Sequence, residues 1–529
     1  MPLRRSVRAA AVATSLGLVI SACTGSSPTP APSSTGTATS ASSPTGTAAT
    51  SAGPAVAKAK FTDCTSQITP SLPGGNGPRV TRLSFGCARV PVPADYAEPD
   101  GRMLTLYVVK VHDNSQSRRI GSLLVNPGGP GASGVQLAVN LGLEVSDNLL
   151  DHFDLVGFDP RGVFLSDAVQ CIPDAEKDRI AAASPDVRTA AGLAQVTALT
   201  ASVSRACGTR YGSELGRFNT ADTARDLDVL RRALAEDQLT YLGYSYGTEL
   251  GAAYAHLFPA TVRALVLDGA VDPAQTPAVA AQRQAAGFEA AFDRFAADCA
   301  TQTACRPLGP ARAAVTGLTA RADRTALRTS RPGDRRRATG AIVLGAVAAA
   351  LYDRSRWPVL ATALLAARRG DARALFAIND AFTGRAEDGH YSNLLDAYTT
   401  ITCNDEVRRP SAAEVQALAT RWARSYPLFG LNAAAELLSC RSWPAPPTPV
   451  PPATAPGAGP ILVIGTVHDP ATPLSAARAL ARSLSSGVLL SWDGDGHTAF
   501  PKTPCVTAAV EKYLIDPQTP LATATCPAR

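Results

Sequence analysis

Apolar residues fall in short runs along most of the chain: Leu104–Val111, Ser122–Val125, Phe153–Phe158, Leu239–Leu242, Ala264–Leu267, Ile461–Ile464 and Val488–Trp492. Runs of this length suit strands buried on both faces of a sheet. Helical patterns separate several of them, at Thr223–Leu234 and at Tyr246–Phe258, the second stopped by Pro259. Strands alternating with helices predict an α/β fold with a mostly parallel central sheet. Between Leu267 and Ile461 the strand signal fades. Segments rich in Ala, Leu and Arg, such as Ala278–Ala297 and Ala341–Ala350, read as helices. The expected organisation is a sheet domain over residues 58–274 and 456–529, interrupted by a mainly helical lid over 275–455. The Pro-rich run Trp443–Pro460 reads as the return linker, and no internal repeat is evident.

The N-terminal pattern is different. Arg4, Arg5 and Arg8 precede an apolar stretch from Ala9 to Ile20, which reads as an export signal over residues 1–22. It ends in Ile20-Ser21-Ala22-Cys23, which resembles the lipobox of bacterial lipoproteins and implies acylation of Cys23. Residues 23–57 hold almost only Ser, Thr, Pro, Ala and Gly. Such a segment buries little apolar area and reads as a tether. The expected location is outside the cell, on the outer face of the membrane through a lipid anchor, with release to the envelope or medium also allowed.

Composition narrows the classes. The chain has 529 residues, 45% hydrophobic and 18% charged, which suits a folded core. A net charge of +6 is small for this length, and no basic run longer than Arg335-Arg336-Arg337 occurs, so no nucleic-acid partner is expected. Eleven Cys leave an even ten after Cys23. They fall as near neighbours: Cys64 and Cys87, Cys171 and Cys207, Cys299 and Cys305, Cys403 and Cys440, Cys505 and Cys526. Pairing of neighbours is the expectation, although spacing leaves the connectivity open. With no Cys-x-x-Cys spacing, disulfides in an oxidising compartment are expected, and no metal or other cofactor.

The strongest chemical signal is Gly243-Tyr244-Ser245-Tyr246-Gly247, between a strand pattern and a helix pattern. A sharp strand-to-helix turn exposes a Ser hydroxyl, and small residues on either side let the chain pass. A Ser nucleophile needs a base, and the chain has six His. His112 and His152 precede the motif, His256 lies three turns down the same helix, and His390 sits in the lid. His497 follows the last main strand and fits the base, while Asp469 follows the strand before it and fits the acid. His468 reads as a loop neighbour, and Asp493 and Asp495 are rival acids on the wrong strand. The loop Asn126-Pro127-Gly128-Gly129-Pro130-Gly131 follows an earlier strand. The backbone N–H of Gly129, with that of Tyr246, is the expected oxyanion hole. The formal Gly129-x-Gly131-x-x-Gly134 dinucleotide pattern is disfavoured, because Pro130 removes an N–H from the turn. Phe158-Asp159-Pro160-Arg161-Gly162 reads as a structural turn with an Asp–Arg contact.

These residues resemble the secreted tripeptidyl aminopeptidases of actinobacteria and the mycobacterial lipoprotein serine proteases, in the proline-iminopeptidase branch of the α/β-hydrolases. The resemblance rests on residues 126–131, 158–162 and 242–247, on Leu267-Asp268-Gly269, on His468-Asp-Pro-Ala-Thr-Pro473 and on Gly496-His497, and it covers Phe61 to the C-terminus. It implies the α/β-hydrolase fold and a serine exopeptidase acting on peptides or proteins with free N-termini. Such an enzyme must hold an ammonium group, and Asp405 and Glu406, beside Cys403, are the expected anchor. The proline iminopeptidases usually read His-Gly-Gly-Pro-Gly at this loop, whereas this chain has Asn126-Pro127 ahead of its glycines, which fits the secreted subgroup and weakens any carry-over of prolyl specificity. An esterase or lipase of the same fold is the alternative. A non-catalytic envelope protein is disfavoured by a full Ser, Asp and His set.

Overall fold

The computed structural model describes residues 56–72, 77–519, 521 and 524–528. The expected signal, Cys23 and nearly all of the tether lie outside the described residues.

Among the described residues ten strands form one sheet: β1 (Thr62–Asp63), β2 (Leu83–Pro93), β3 (Met103–Asp113), β4 (Gly121–Asn126), β5 (Phe153–Phe158), β6 (Leu239–Tyr244), β7 (Val262–Asp268), β8 (Ile461–His468), β9 (Gly487–Asp495) and β10 (Thr525–Cys526). Their order is β1-β2-β3-β5-β4-β6-β7-β8-β9-β10. The first strands meet antiparallel as far as the β3–β5 pair, and the pairs from β5–β4 to β9–β10 are parallel. Alternation within the apolar runs explains the layering. Leu123, Val125, Leu155 and Leu242 pack on one face, and Leu124, Val156 and Tyr241 pack on the other. Both faces are covered by helices, as a parallel sheet requires.

All seven strands expected from the apolar runs are present; the two-residue β1 and β10 and the long β2 are additions. β2 is the one of substance. Its prolines disguise it. Pro91 and Pro93 pair with Thr105 and Met103 of β3, while the short β1 covers β2 only at Gly86 and Cys87. The prolines therefore sit where no ladder donor is missed.

From Pro277–Thr301 to Gly430–Glu436 the chain is helical and forms a cap with its own core, built on Phe292, Phe295, Val315, Val347 and Leu364. A second excursion, between β5 and β6, joins it. The sequence reading assigns these residues to the sheet domain. Here Val187 and Val196 pack with Val415, Trp422 and Leu438 of the cap. Among the described residues five disulfides join Cys64–Cys87, Cys171–Cys207, Cys299–Cys305, Cys403–Cys440 and Cys505–Cys526, the neighbour pairs expected from the sequence.

The turn after β5 departs from expectation. Asp159 does not meet Arg161. It accepts from Ser133 Oγ (2.5 Å) and Leu165 N (3.1 Å), and burial pushes its carboxyl up to about 6. Arg161 is fully buried and pairs with Asp226 at 2.6 Å, with its other N–H groups on the carbonyls of Pro93, Ala94 and Arg217. A buried guanidinium needs that many acceptors, and a single neighbouring carboxylate would not satisfy it.

Candidate active site

β6 ends at Tyr244 and the helix Tyr246–Leu257 follows, with a single residue between them. Ser245 occupies the turn with φ 54° and ψ −123°, a backbone that L-residues adopt only when the surroundings hold it. The flanking glycines are needed for contact. A Cβ on Gly243 would lie 2.3 Å from the Gly247 carbonyl oxygen. The loop after β4 closes on the same point. Gly128 has φ 89°, and a Cβ there would lie 2.4 Å from the Tyr244 oxygen and 2.9 Å from the Ser245 Cβ. This brings the Gly128 backbone, next to Gly129, against the serine turn. The Tyr246 N–H opens the new helix, where early N–H groups have no intrahelical acceptor.

Asp469 follows β8 and His497 follows β9, on adjacent parallel strands. His497 Nδ1 lies 3.0 Å from Asp469 Oδ1 and 2.9 Å from Oδ2. The buried carboxylate also accepts from the N–H groups of Ala471 (2.9 Å) and Thr472 (2.8 Å) and from Thr472 Oγ1 (3.1 Å). These donors fix the carboxylate, which in turn fixes the imidazole orientation. His497 Nε2 is buried and makes no hydrogen bond among the described residues. The contact expected between His497 and Ser245 is not closed: no hydrogen bond within 3.5 Å joins them among the described residues. Such bonds are often long without substrate.

Asp268, at the end of β7, ties the two halves together. Its carbonyl accepts from Ser245 N at 2.9 Å. Its buried carboxylate accepts from Ala499 N (2.9 Å) and Phe500 N (2.8 Å), just past His497. Burial pushes this carboxyl up to about 6, against the two N–H groups. The next residue, Gly269, passes so close that a Cβ would lie 3.1 Å from His497 Cε1. The cap grips His497 from the other side. The His497 N–H donates to the Tyr352 carbonyl at 2.8 Å, and the Tyr352 ring stands edge-on to the imidazole at 5.3 Å. Arg294 and Arg354 of the cap both pair with Asp495. That engagement removes Asp495 as a rival acid. Asp493 is exposed and lies 3.7 Å from His468.

The two acids expected to hold an ammonium group behave differently. Asp405 is occupied: Oδ1 accepts from Thr220 N at 3.0 Å and Oδ2 from Thr220 Oγ1 at 2.6 Å. Both of its oxygens are thus engaged by Thr220. Glu406 Oε1 is buried and has no hydrogen-bond partner among the described residues. Burial pushes its carboxyl up to about 7, with Arg409 opposing and Glu436 adding to the shift. Glu436, from the cap helix Gly430–Glu436, accepts from Tyr398 OH at 2.8 Å. Thr472, Asp268, Tyr352 and Glu436 were not singled out by sequence reasoning. Only the motifs 267–269 and 468–473 carried a signal, for Asp268 and Thr472. No group of three metal-ligating side chains occurs among the described residues, and no described helix is long and apolar enough to cross a membrane.

The α/β-hydrolase-fold family profile matches residues 121–504. Serine protease Hip1 of Mycobacterium tuberculosis is 39% identical over 457 residues, covering 83% of this chain and 87% of that protein. Carboxylesterase B of the same organism is 39% identical over 460 residues, covering 83% and 86%. Tripeptidyl aminopeptidase of Streptomyces lividans is 32% identical over 450 residues, covering 83% of each.

Proposed function

The chain belongs to the α/β-hydrolase family as a serine hydrolase of its peptidase group, and from that premise we propose that it is an exported exopeptidase cutting near free N-termini. In this reading Ser245 attacks the scissile carbonyl, His497 Nε2 takes its proton and later delivers it to the leaving amine, and Asp469 orients the imidazole and balances its charge. The N–H groups of Gly129 and Tyr246 receive the developing oxyanion. The observation that carries the reading is the Asp469–His497 hydrogen bond, with Nε2 left unpaired beside the turn that holds Ser245.

Glu406 supports the free N-terminus. A buried carboxyl with an unpaired oxygen, and a second carboxylate nearby on Glu436, is a costly arrangement that a substrate ammonium would relieve. Tyr398, bound to Glu436, feels the charge of Glu406 and neighbours Tyr352, whose ring packs on His497. The five disulfides support an oxidising compartment, and the Cys23 lipobox supports a lipid anchor. The esterase reading keeps one support, the similarity to a carboxylesterase. Paired peptides with free and acetylated N-termini separate the two. The exopeptidase reading requires cleavage of the free peptide and loss of cleavage after acetylation. Equal cleavage of both removes it.

A further inference from the structure

The helix Thr220–Ala233 starts beneath the cap. Asn219 is its N-cap and accepts from Asp222 N at 2.8 Å. Thr220, the first helical residue, has an N–H with no acceptor in its own helix. That N–H and the Thr220 hydroxyl both go to Asp405, at the C-terminal end of the cap helix Leu394–Asp405. Thr220 Oγ1 also lies 2.5 Å from Tyr246 OH. With Asp405 ionised, the Thr hydroxyl proton goes to its carboxylate and Tyr246 donates this second bond; burial raises the Asp405 carboxyl well above its usual range, and with that carboxyl protonated the same line runs in the opposite sense. An unbroken line thus runs from Tyr246 OH through Thr220 Oγ1 to the Asp405 carboxylate.

The far end of the line is rigid. Asn404 Nδ2 donates to Leu215 O (2.7 Å) and Phe218 O (2.9 Å), its Oδ1 accepts from Trp443 Nε1 (2.8 Å), and Cys403 is bonded to Cys440. The near end is the residue after Ser245. Tyr246 is buried and follows a turn with φ 54°, a backbone that relaxes unless neighbouring contacts hold it.

We propose that Asp405 and Thr220 are positioning residues: they clamp the Tyr246 side chain and so hold its backbone N–H on the oxyanion. The cap helix then contributes to transition-state stabilisation from behind the nucleophile, without touching substrate. Asp405 serves this role in place of the ammonium contact expected from the sequence. The proposal rests on Ser245 being the nucleophile.

The test uses the full chain with Tyr246→Phe, Thr220→Val, Thr220→Ser and the Tyr246→Phe/Thr220→Val pair. Each is assayed on a peptide anilide with a free N-terminus and on a small acyl ester. Thermal midpoints are read alongside. Tyr246→Phe keeps the backbone N–H and the ring, so it is the decisive variant. Losing a whole oxyanion donor costs about 10²–10³ in kcat. Displacing one should cost on the order of tenfold, on both substrates, with KM within about twofold. Thr220→Ser should keep wild-type kcat, and the pair should fall no further than either single change, as members of one line do. Wild-type kcat in Tyr246→Phe overturns the proposal. So does a loss confined to KM of the amine-bearing peptide, or a multiplicative loss in the pair. Ser245→Ala is run as control: if it retains turnover, the nucleophile reading has failed instead.

Discussion

His497 Nδ1 lies 2.9 Å from Asp469 Oδ2, bridging the ends of two neighbouring parallel strands 28 residues apart. The acid accepts from Ala471, Thr472 and His497 together, so it has no freedom to turn away. Asp469→Asn keeps the shape but offers an amide to Nδ1, which favours the wrong tautomer. The expected loss is about 10³–10⁴ in kcat with an unchanged thermal midpoint. Steady-state kinetics on a peptide anilide checks it, and a loss below tenfold argues for another acid.

Glu406→Gln should lower kcat/KM for peptides with a free N-terminus by about 10- to 100-fold, the cost of taking one charge from a desolvated pair. It should spare a small ester that carries no amine. The pH dependence follows from the raised carboxyl. Glu406 ionises near 7, so binding of an ammonium strengthens as pH rises through that value. It weakens again once the substrate α-amino group titrates at about 8. The ratio of kcat/KM for peptide over ester cancels the contribution of His497. It should peak between these two values in the wild type and lose its rising limb in Glu406→Gln.

The parallel strands and the serine turn were legible in the sequence because each has a local signature: a short apolar run, or a Gly-x-Ser-x-Gly between two periodicities. The order Ser, Asp, His placed Asp469 and His497 after adjacent strands. What was not legible depends on contacts between distant segments. Asp268 matters through Ala499 and Phe500, which its Leu267-Asp-Gly269 motif does not reveal, and Tyr352 matters through His497, with nothing in its own neighbourhood to mark it. β2 was hidden by two prolines that its outer position tolerates. Asp405 and Glu406 looked equivalent as adjacent acids. The helix ends between them: Asp405 is its last residue and Glu406 has an extended backbone, so their carboxyls meet different surroundings.

Mass spectrometry without reduction should find no free thiol among the ten cysteines that form bridges. Removing one bridge should cost about 2–5 kcal/mol, read by denaturant unfolding. The Cys403–Cys440 pair should have a second effect. It anchors the segment carrying Asp405 and Glu406, so its removal should also lower activity at temperatures where the protein remains folded. Two or more free thiols in the native protein would contradict the oxidising-compartment reading.

Cys23→Ala should move the protein from the membrane fraction to the soluble or secreted fraction, with kcat unchanged. Residues 24–57 carry almost no apolar bulk to couple the anchor to the catalytic unit. A single acyl chain gives only marginal binding, so firm attachment requires a cysteine carrying more than one. Unchanged fractionation would remove the lipid anchor from the account.

The central claim is that Ser245 is the nucleophile, and covalent labelling tests it most directly. The full chain is treated with a fluorophosphonate, digested, and searched for the adduct by mass spectrometry, with Ser245→Ala and His497→Ala alongside. The account predicts one adduct, on Ser245. It predicts none in Ser245→Ala, strongly slowed labelling in His497→Ala, and peptide turnover reduced by about three or more orders of magnitude in both variants. An adduct on another residue, or near-normal turnover in Ser245→Ala, would contradict it.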